Sequence, residues 1–177
     1  MIPAYNYLIV SILTPNKTDV ISEISRIAVS CGCNILNIEF NRLGTEQTII
    51  LYLAGNWGAI AKMEAALPAL EQRLGLSTLV QRTSEPPSTE PSMTYSLQLA
   101  AIDKMGILNG ISDFLYKMNI PIDQISAHTY LSQSGTRMVS MNLKLKVSDK
   151  VHLASLREKL IGYCDDNNLD AYIEPTR

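Results

Sequence analysis

Apolar residues recur along the chain with two periods, and the same order of periods occurs twice. Val20, Ile21, Ile24, Ile27, Ala28 and Cys31 lie on one face of a predicted helix. A shift of 87 residues carries them onto Ile107, Leu108, Ile111, Phe114, Leu115 and Met118. Each helix follows a β-like segment, "YNYLIVSIL" in the first half and "MTYSLQLAAI" in the second. After the helices come "CNILNIEFNRL" and "IPIDQISAHTYL", in which Ile35 and Ile38 match Ile122 and Ile125. The three-residue step between those isoleucines breaks strict alternation and predicts a bulge or a late strand start.

Each half then turns back. "LGTE" and "SQSGT" are hairpin signals, and "QTIILYLA" and "RMVSMNLKLKV" read as third strands. Asn56 is a candidate N-cap for a helix carrying Ile60, Met63, Leu67 and Leu70. In the second half Ser148 or Asp149 precedes Leu153, Leu156, Leu160 and Cys164. "STLVQRT" and "DAYIEP" close the halves as last strands. The expectation is an α+β chain of two ferredoxin-like βαββαβ domains in tandem, each an antiparallel sheet with both helices on one face. The first would span residues 1–83 and the second 93–177. Between them "SEPPSTEPS", residues 84–92, has three prolines and no large apolar residue, as an extended linker does.

Composition narrows the function. Apolar residues make up 46%, enough for packed cores. Lys plus Arg is 15 against 17 for Asp plus Glu, a net charge of −2, without the basic face of a nucleic-acid binder. The RNA-binding RRM shares the βαββαβ order but stacks bases on aromatics of its central strands. Here "RMVSMNLKL" has none and "QTIILYLA" has only Tyr52, so direct DNA or RNA binding is not expected. No apolar run approaches the roughly 18–20 residues of a membrane span, and the N-terminus lacks a signal-peptide pattern. Three cysteines without a disulfide framework point to a reducing compartment, the cytoplasm.

"SCGCN" could suggest a metal, but Cys31 and Cys33 occupy the positions of Met118 and Ile120, both apolar. A second ligand pair for zinc is lacking. Both cysteines, and Cys164, are therefore expected to be buried hydrophobes, with no metal and no cofactor. His128 and His152 are isolated, and no hydrolase, zincin or P-loop motif occurs, so an enzyme is not expected. What remains is the turn Asp103-Lys104-Met105-Gly106-Ile107. Gly106 lets backbone approach a ligand, Asp103 could accept from first-turn N–H groups, and a helix N-terminus favours a carboxylate. A capped helix start explains the same residues equally well.

A βαββαβ unit with this D-K-x-G-I turn resembles the ACT domain, a regulatory module that often binds amino acids between paired copies. Two copies fill the chain. "SCGCNI", "LGTEQTIILYLAGNWGAI" and "NLDAYIEP" are further similar to the ACT proteins that repress glycine cleavage genes. That resemblance implies a cytoplasmic regulator that contacts the LysR-type activator of the glycine cleavage operon, with a small amino acid, glycine first, as effector. It also admits a homodimer. It implies a site made of Asp103, Lys104, Met105, Gly106 and Ile107 together with Asn34 and Ile35, the Asn-Ile that begins the second strand. The first half departs from the pattern, with Asn16-Lys17-Thr18-Asp19 where the family has D-R-P-G, and Pro121 stands where Asn34 does. The complete turn and the complete Asn-Ile thus lie in opposite halves. The alternative is an ACT-fold interaction or dimerisation adaptor that binds no ligand.

Overall fold

Alternation along the first strand decides which side of the sheet becomes core. In β1 (Asn6–Pro15), Leu8, Val10, Ile12 and Thr14 are buried, while the residues between them face the other way. The structure, a computed structural model, describes residues 5–15, 19–85 and 92–176. The chain divides into two compact units, Met1–Pro87 and Ser88–Arg177.

In the first unit β1 is followed by α1 (Val20–Cys31), β2 (Asn34–Leu43), β3 (Glu46–Gly55), α2 (Trp57–Leu74) and β4 (Ser77–Thr83). The strands lie in the order β2-β3-β1-β4, each antiparallel to its neighbours. Val20, Ile24 and Ala28 of α1 and Ile60, Met63, Leu67 and Leu70 of α2 share one core with Ile49, Leu51 and Leu53 of β3. Both helices therefore cover the same face. Each fully buried Leu or Ile contributes about 1.5–3 kcal/mol relative to exposure.

The second unit repeats the arrangement with β5 (Ser92–Ile102), α3 (Ile107–Lys117), β6 (Ile122–Leu131), β7 (Arg137–Ser148), α4 (Leu153–Asp166) and β8 (Asp170–Pro175), in the order β6-β7-β5-β8. Its core gathers Leu97, Ile111, Leu115, Leu143, Leu145, Leu156, Leu160 and Cys164. The helices at 20 and 107 thus hold equivalent places, as the periodicity required.

The expected bulges are present. Register shifts between Ile35 and Asn37 and between Ile122 and Gln124. Leu36 and Asp123 are the extra residues, and Asp123 pairs with Lys146 at 2.6 Å.

Asn56 caps α2 as expected, its side-chain oxygen accepting from Ala59 N–H at 2.8 Å. The start of α4 corrects the sequence reading. Ser148 ends β7, and its carbonyl accepts from Val151 N–H at 2.9 Å in a turn. The helix begins later, at Leu153, with His152 in the N-cap position and neither Ser148 nor Asp149 capping it.

Candidate functional site

The corner between β5 and α3 is set by backbone bonds on one side and a glycine on the other. Asp103 N–H donates to the Arg137 carbonyl at 2.9 Å, so the strand ladder runs to the edge of the turn. Gly106 holds φ +92° and ψ −5° in the N-cap position of α3. Only glycine takes that conformation without steric cost. A Cβ placed there would meet nothing within 4 Å, so the space over the corner is open. Ile107 turns its side chain into the core and presents only backbone to the corner.

Asp103 does not cap α3, because no side chain hydrogen-bonds to the N-terminus of that helix. This corrects the expectation that its carboxylate takes the first-turn N–H groups. In the first unit the matching helix is closed by its own residue, Asp19, whose Oδ1 accepts from Ser22 N–H at 3.2 Å. Asn16, Lys17 and Thr18, the rest of that turn, lie outside the described residues. Lys104 is engaged elsewhere, its ammonium donating to the Asn167 carbonyl at the end of α4 at 3.3 Å. Met105 is fully exposed at the tip of the turn.

Asn34 and Ile35 belong to the first unit. Asn34 is the first residue of β2, paired with Ala54, and its side chain is exposed. Ile35 packs against the core. Gly32 closes α1 at φ +81°, and Cys33 N–H donates to the Ala28 carbonyl at 2.9 Å, so a tight C-cap delivers the chain to Asn34. The five turn residues are thus one local corner of the second unit, and Asn34-Ile35 one strand start of the first.

Cys33 and Cys164 are buried, whereas Cys31 is only half-buried at the end of α1. Burial, and then its neighbour Cys31, raises the Cys33 thiol above the ordinary value. Burial, and then Asp165, pushes Cys164 up to about 11. Among the described residues no three His, Cys, Asp or Glu side chains gather as a metal site. One thiol, Cys31, should therefore react with a disulfide reagent in the native protein within minutes, and three after denaturation. Mass mapping of the labelled cysteines would check this, and equal labelling of Cys31 and Cys164 would contradict it.

One group escaped the sequence reading. Tyr7 and Tyr52 stack on the helix-free face of the first sheet, with ring centroids 5.4 Å apart and planes 13° apart. The signal was there as outward-facing tyrosines on two strands, but which strands adjoin is a matter of topology.

Two βαββαβ units in tandem, the second with this turn, are the architecture of tandem ACT proteins, and the chain belongs to the ACT-domain family. The family description, ACT domain, matches residues 6–81 and again residues 90–163. The glycine cleavage system transcriptional repressor of Escherichia coli (strain K12) is 26% identical over 170 residues, covering 95% of this chain and 89% of that protein. A solved structure that carries the same name provisionally superposes with a TM-score of 0.76 at 21% identity, over 98% of each chain. An unknown protein from Galdieria sulphuraria gives the same TM-score at 16% identity, over 98% of this chain and all of that one. At those identities the two structures speak for the fold alone. Among the described residues no helix is long and apolar enough to cross a membrane.

Proposed function

We propose that this chain is a non-enzymatic, cytoplasmic regulator that senses a small amino acid, glycine first. In this reading it represses the glycine cleavage operon by contacting its LysR-type activator and does not bind the operator DNA itself. The likeness to the Escherichia coli repressor along 95% of the chain supports the regulatory role. The observation that carries the sensing role is the open corner. Gly106 holds a left-handed conformation beneath empty space, and no side chain closes the N-terminus of α3. In this proposal Gly106 and Ile107 N–H groups hold the ligand carboxylate, and the helix N-terminus adds to the attraction. Asp103 and Asn34 offer the acceptor oxygens that an ammonium needs. Lys104 and Met105 shape the turn, and Ile35 orients Asn34.

The adaptor reading has its own support. β2 and β6 are sheet edges with exposed apolar side chains, among them Leu36, Phe40 and Leu43 on β2 and Tyr130 and Leu131 on β6. Such edges invite strand pairing whether or not a ligand is bound.

Calorimetry with glycine and a panel of small amino acids separates the two. At about 1.5 kcal/mol per heavy atom, five-atom glycine is limited to roughly 7 kcal/mol, which is micromolar at best. Binding in the micromolar to sub-millimolar range is expected. No heat at millimolar glycine removes glycine as the ligand, and silence across the panel leaves the adaptor. A DNA mobility shift at about 0.15 M salt should require the activator, since weak charge-driven binding is screened there. A shift by this chain alone would contradict the proposal.

A further inference from the structure

The helix-free face of the first sheet differs from that of the second in a way the fold does not require. Its outward positions include Tyr7 and Ile9 of β1, Ile50 and Tyr52 of β3, and Leu79 of β4. Leu79 is 73% exposed and Ile50 49%. The matching positions of the second sheet are Thr94, Ser96, Asn142 and Lys144, all polar, with Tyr172 in the place of Leu79. An apolar surface built from five side chains on one sheet, and reduced to Tyr172 at the matching places of its twin, marks an interaction site rather than a property of the architecture.

Charge on this face has one sign. Glu39 and Glu46 are outward, and Glu85 follows the end of β4. Among the described residues of these strands, no Lys or Arg lies on this side. Arg82 turns to the helix side and grips Glu64 with two bonds of 2.6 and 2.8 Å, and Arg42 lies over Phe40 on that same side. At one end of the face Glu85 lies beside the Tyr7–Tyr52 stack, close enough for its charge to act on both phenols. Burial, and then Glu85, holds both phenols above their ordinary range. The Tyr52 hydroxyl is buried beside this stack without a hydrogen-bond partner among the described residues.

We propose that the helix-free face of the first sheet is the surface that holds the regulated protein. Its occupant is an arginine-bearing apolar patch of that partner, the guanidinium seated against the Tyr7–Tyr52 rings and Glu85. The chemistry selects arginine. A guanidinium stacks on aromatic rings, forks onto a carboxylate and keeps an N–H for a phenolic oxygen. Lysine supplies the charge without the fork. Ile50 and Leu79 provide the apolar remainder. The assignment rests on the reading above, that the chain acts by contacting an activator, and adds the face and the chemistry of the contact.

The test measures binding of the full chain to the purified LysR-type activator, by interferometry, with melting and amino-acid titration run on each variant. Leu79→Arg, Ile50→Arg and Glu85→Gln alter exposed side chains and should leave melting and titration at wild-type values. Each should weaken the activator complex by about tenfold or more. Ser96→Arg, on the second sheet, should leave it unchanged. Wild-type affinity in all three variants overturns the face while the proposed function stands. Failure of the wild-type chain to bind the activator, with or without glycine, overturns both. If Leu79→Arg instead converts a wild-type dimer to monomer in sedimentation, the occupant is a second copy and the proposal falls.

Discussion

Leu51→Ala should melt the first unit about 10–30 °C earlier and leave the second nearly unchanged. Leu51 is fully buried at the centre of β3, which pairs with both β1 and β2. Its neighbours come from strands and helices that are already packed, so they cannot collapse into the space the lost isopropyl group leaves. Removing a leucine from such a place costs about 2–5 kcal/mol through lost transfer energy and the cavity. A unit of this size has only about 5–13 kcal/mol in total, and each kcal/mol shifts its midpoint by about 4–8 °C. Leu143 is its counterpart, paired with Leu97 as Leu51 is with Val10, and Leu143→Ala should act on the second unit alone. The measurement has a built-in reporter. The only tryptophan, Trp57, belongs to the first unit, so its fluorescence follows that unit while far-UV circular dichroism follows both. A single transition, moved equally in both probes by either variant, would show that the units melt as one.

Asn34→Ala and Asp103→Ala should each weaken glycine binding by about ten- to a hundred-fold, with the fold intact. In the proposed site both side chains accept from the ligand ammonium. Losing a hydrogen bond to a charged group costs about 1.5–3 kcal/mol, and each 1.4 kcal/mol is about tenfold in affinity. Neither change disturbs a core. Asn34 is exposed at the strand start, and Asp103 caps nothing, since α3 has no side-chain cap to lose. Asn16→Ala, in the turn that departs from the family pattern, should change affinity little. Equal losses in Asn16→Ala and Asn34→Ala would defeat a site shared between the complete turn and the complete Asn-Ile.

Periodicity read the helices and their faces correctly because Val20, Ile24 and Ala28, and Ile107, Ile111 and Leu115, face a single core each. The three-residue isoleucine step located both bulges for a similar reason, since only residues facing the core must be apolar. Polar caps were harder. Ser148 and Asp149 have the chemistry of an N-cap, yet β7 runs on to Ser148 because Val147 is still core-facing, and the turn after it delays the helix. Asp103 likewise suits a cap, but its backbone is held by the Arg137 carbonyl at the end of the ladder, and Gly106 takes the N-cap place. Local chemistry proposes such roles, and long-range strand pairing decides them. The aromatic and carboxylate group on the first sheet was illegible for the same reason. Tyr7, Tyr52 and Glu85 are far apart in the chain, and adjacency arises only from the order β3-β1-β4.

Repetition of one strand order in two halves also bears on how the chain reaches its native state. Strands β1 and β5 both look for an antiparallel neighbour on each side, and their true neighbours, β3 and β7, have near-identical alternation. During synthesis the first half emerges and can complete its sheet before the second exists, which removes the wrong pairing from competition. Refolding from denaturant offers no such order. Both halves are then released together, and cross-pairing between them becomes a kinetic trap. Divergence between the halves limits that trap. The buried Thr14–Gln47 pair of one sheet is Ala101–Val139 in the other, and Ile49 is replaced by Met141, so exchanged sheets pack less well than native ones.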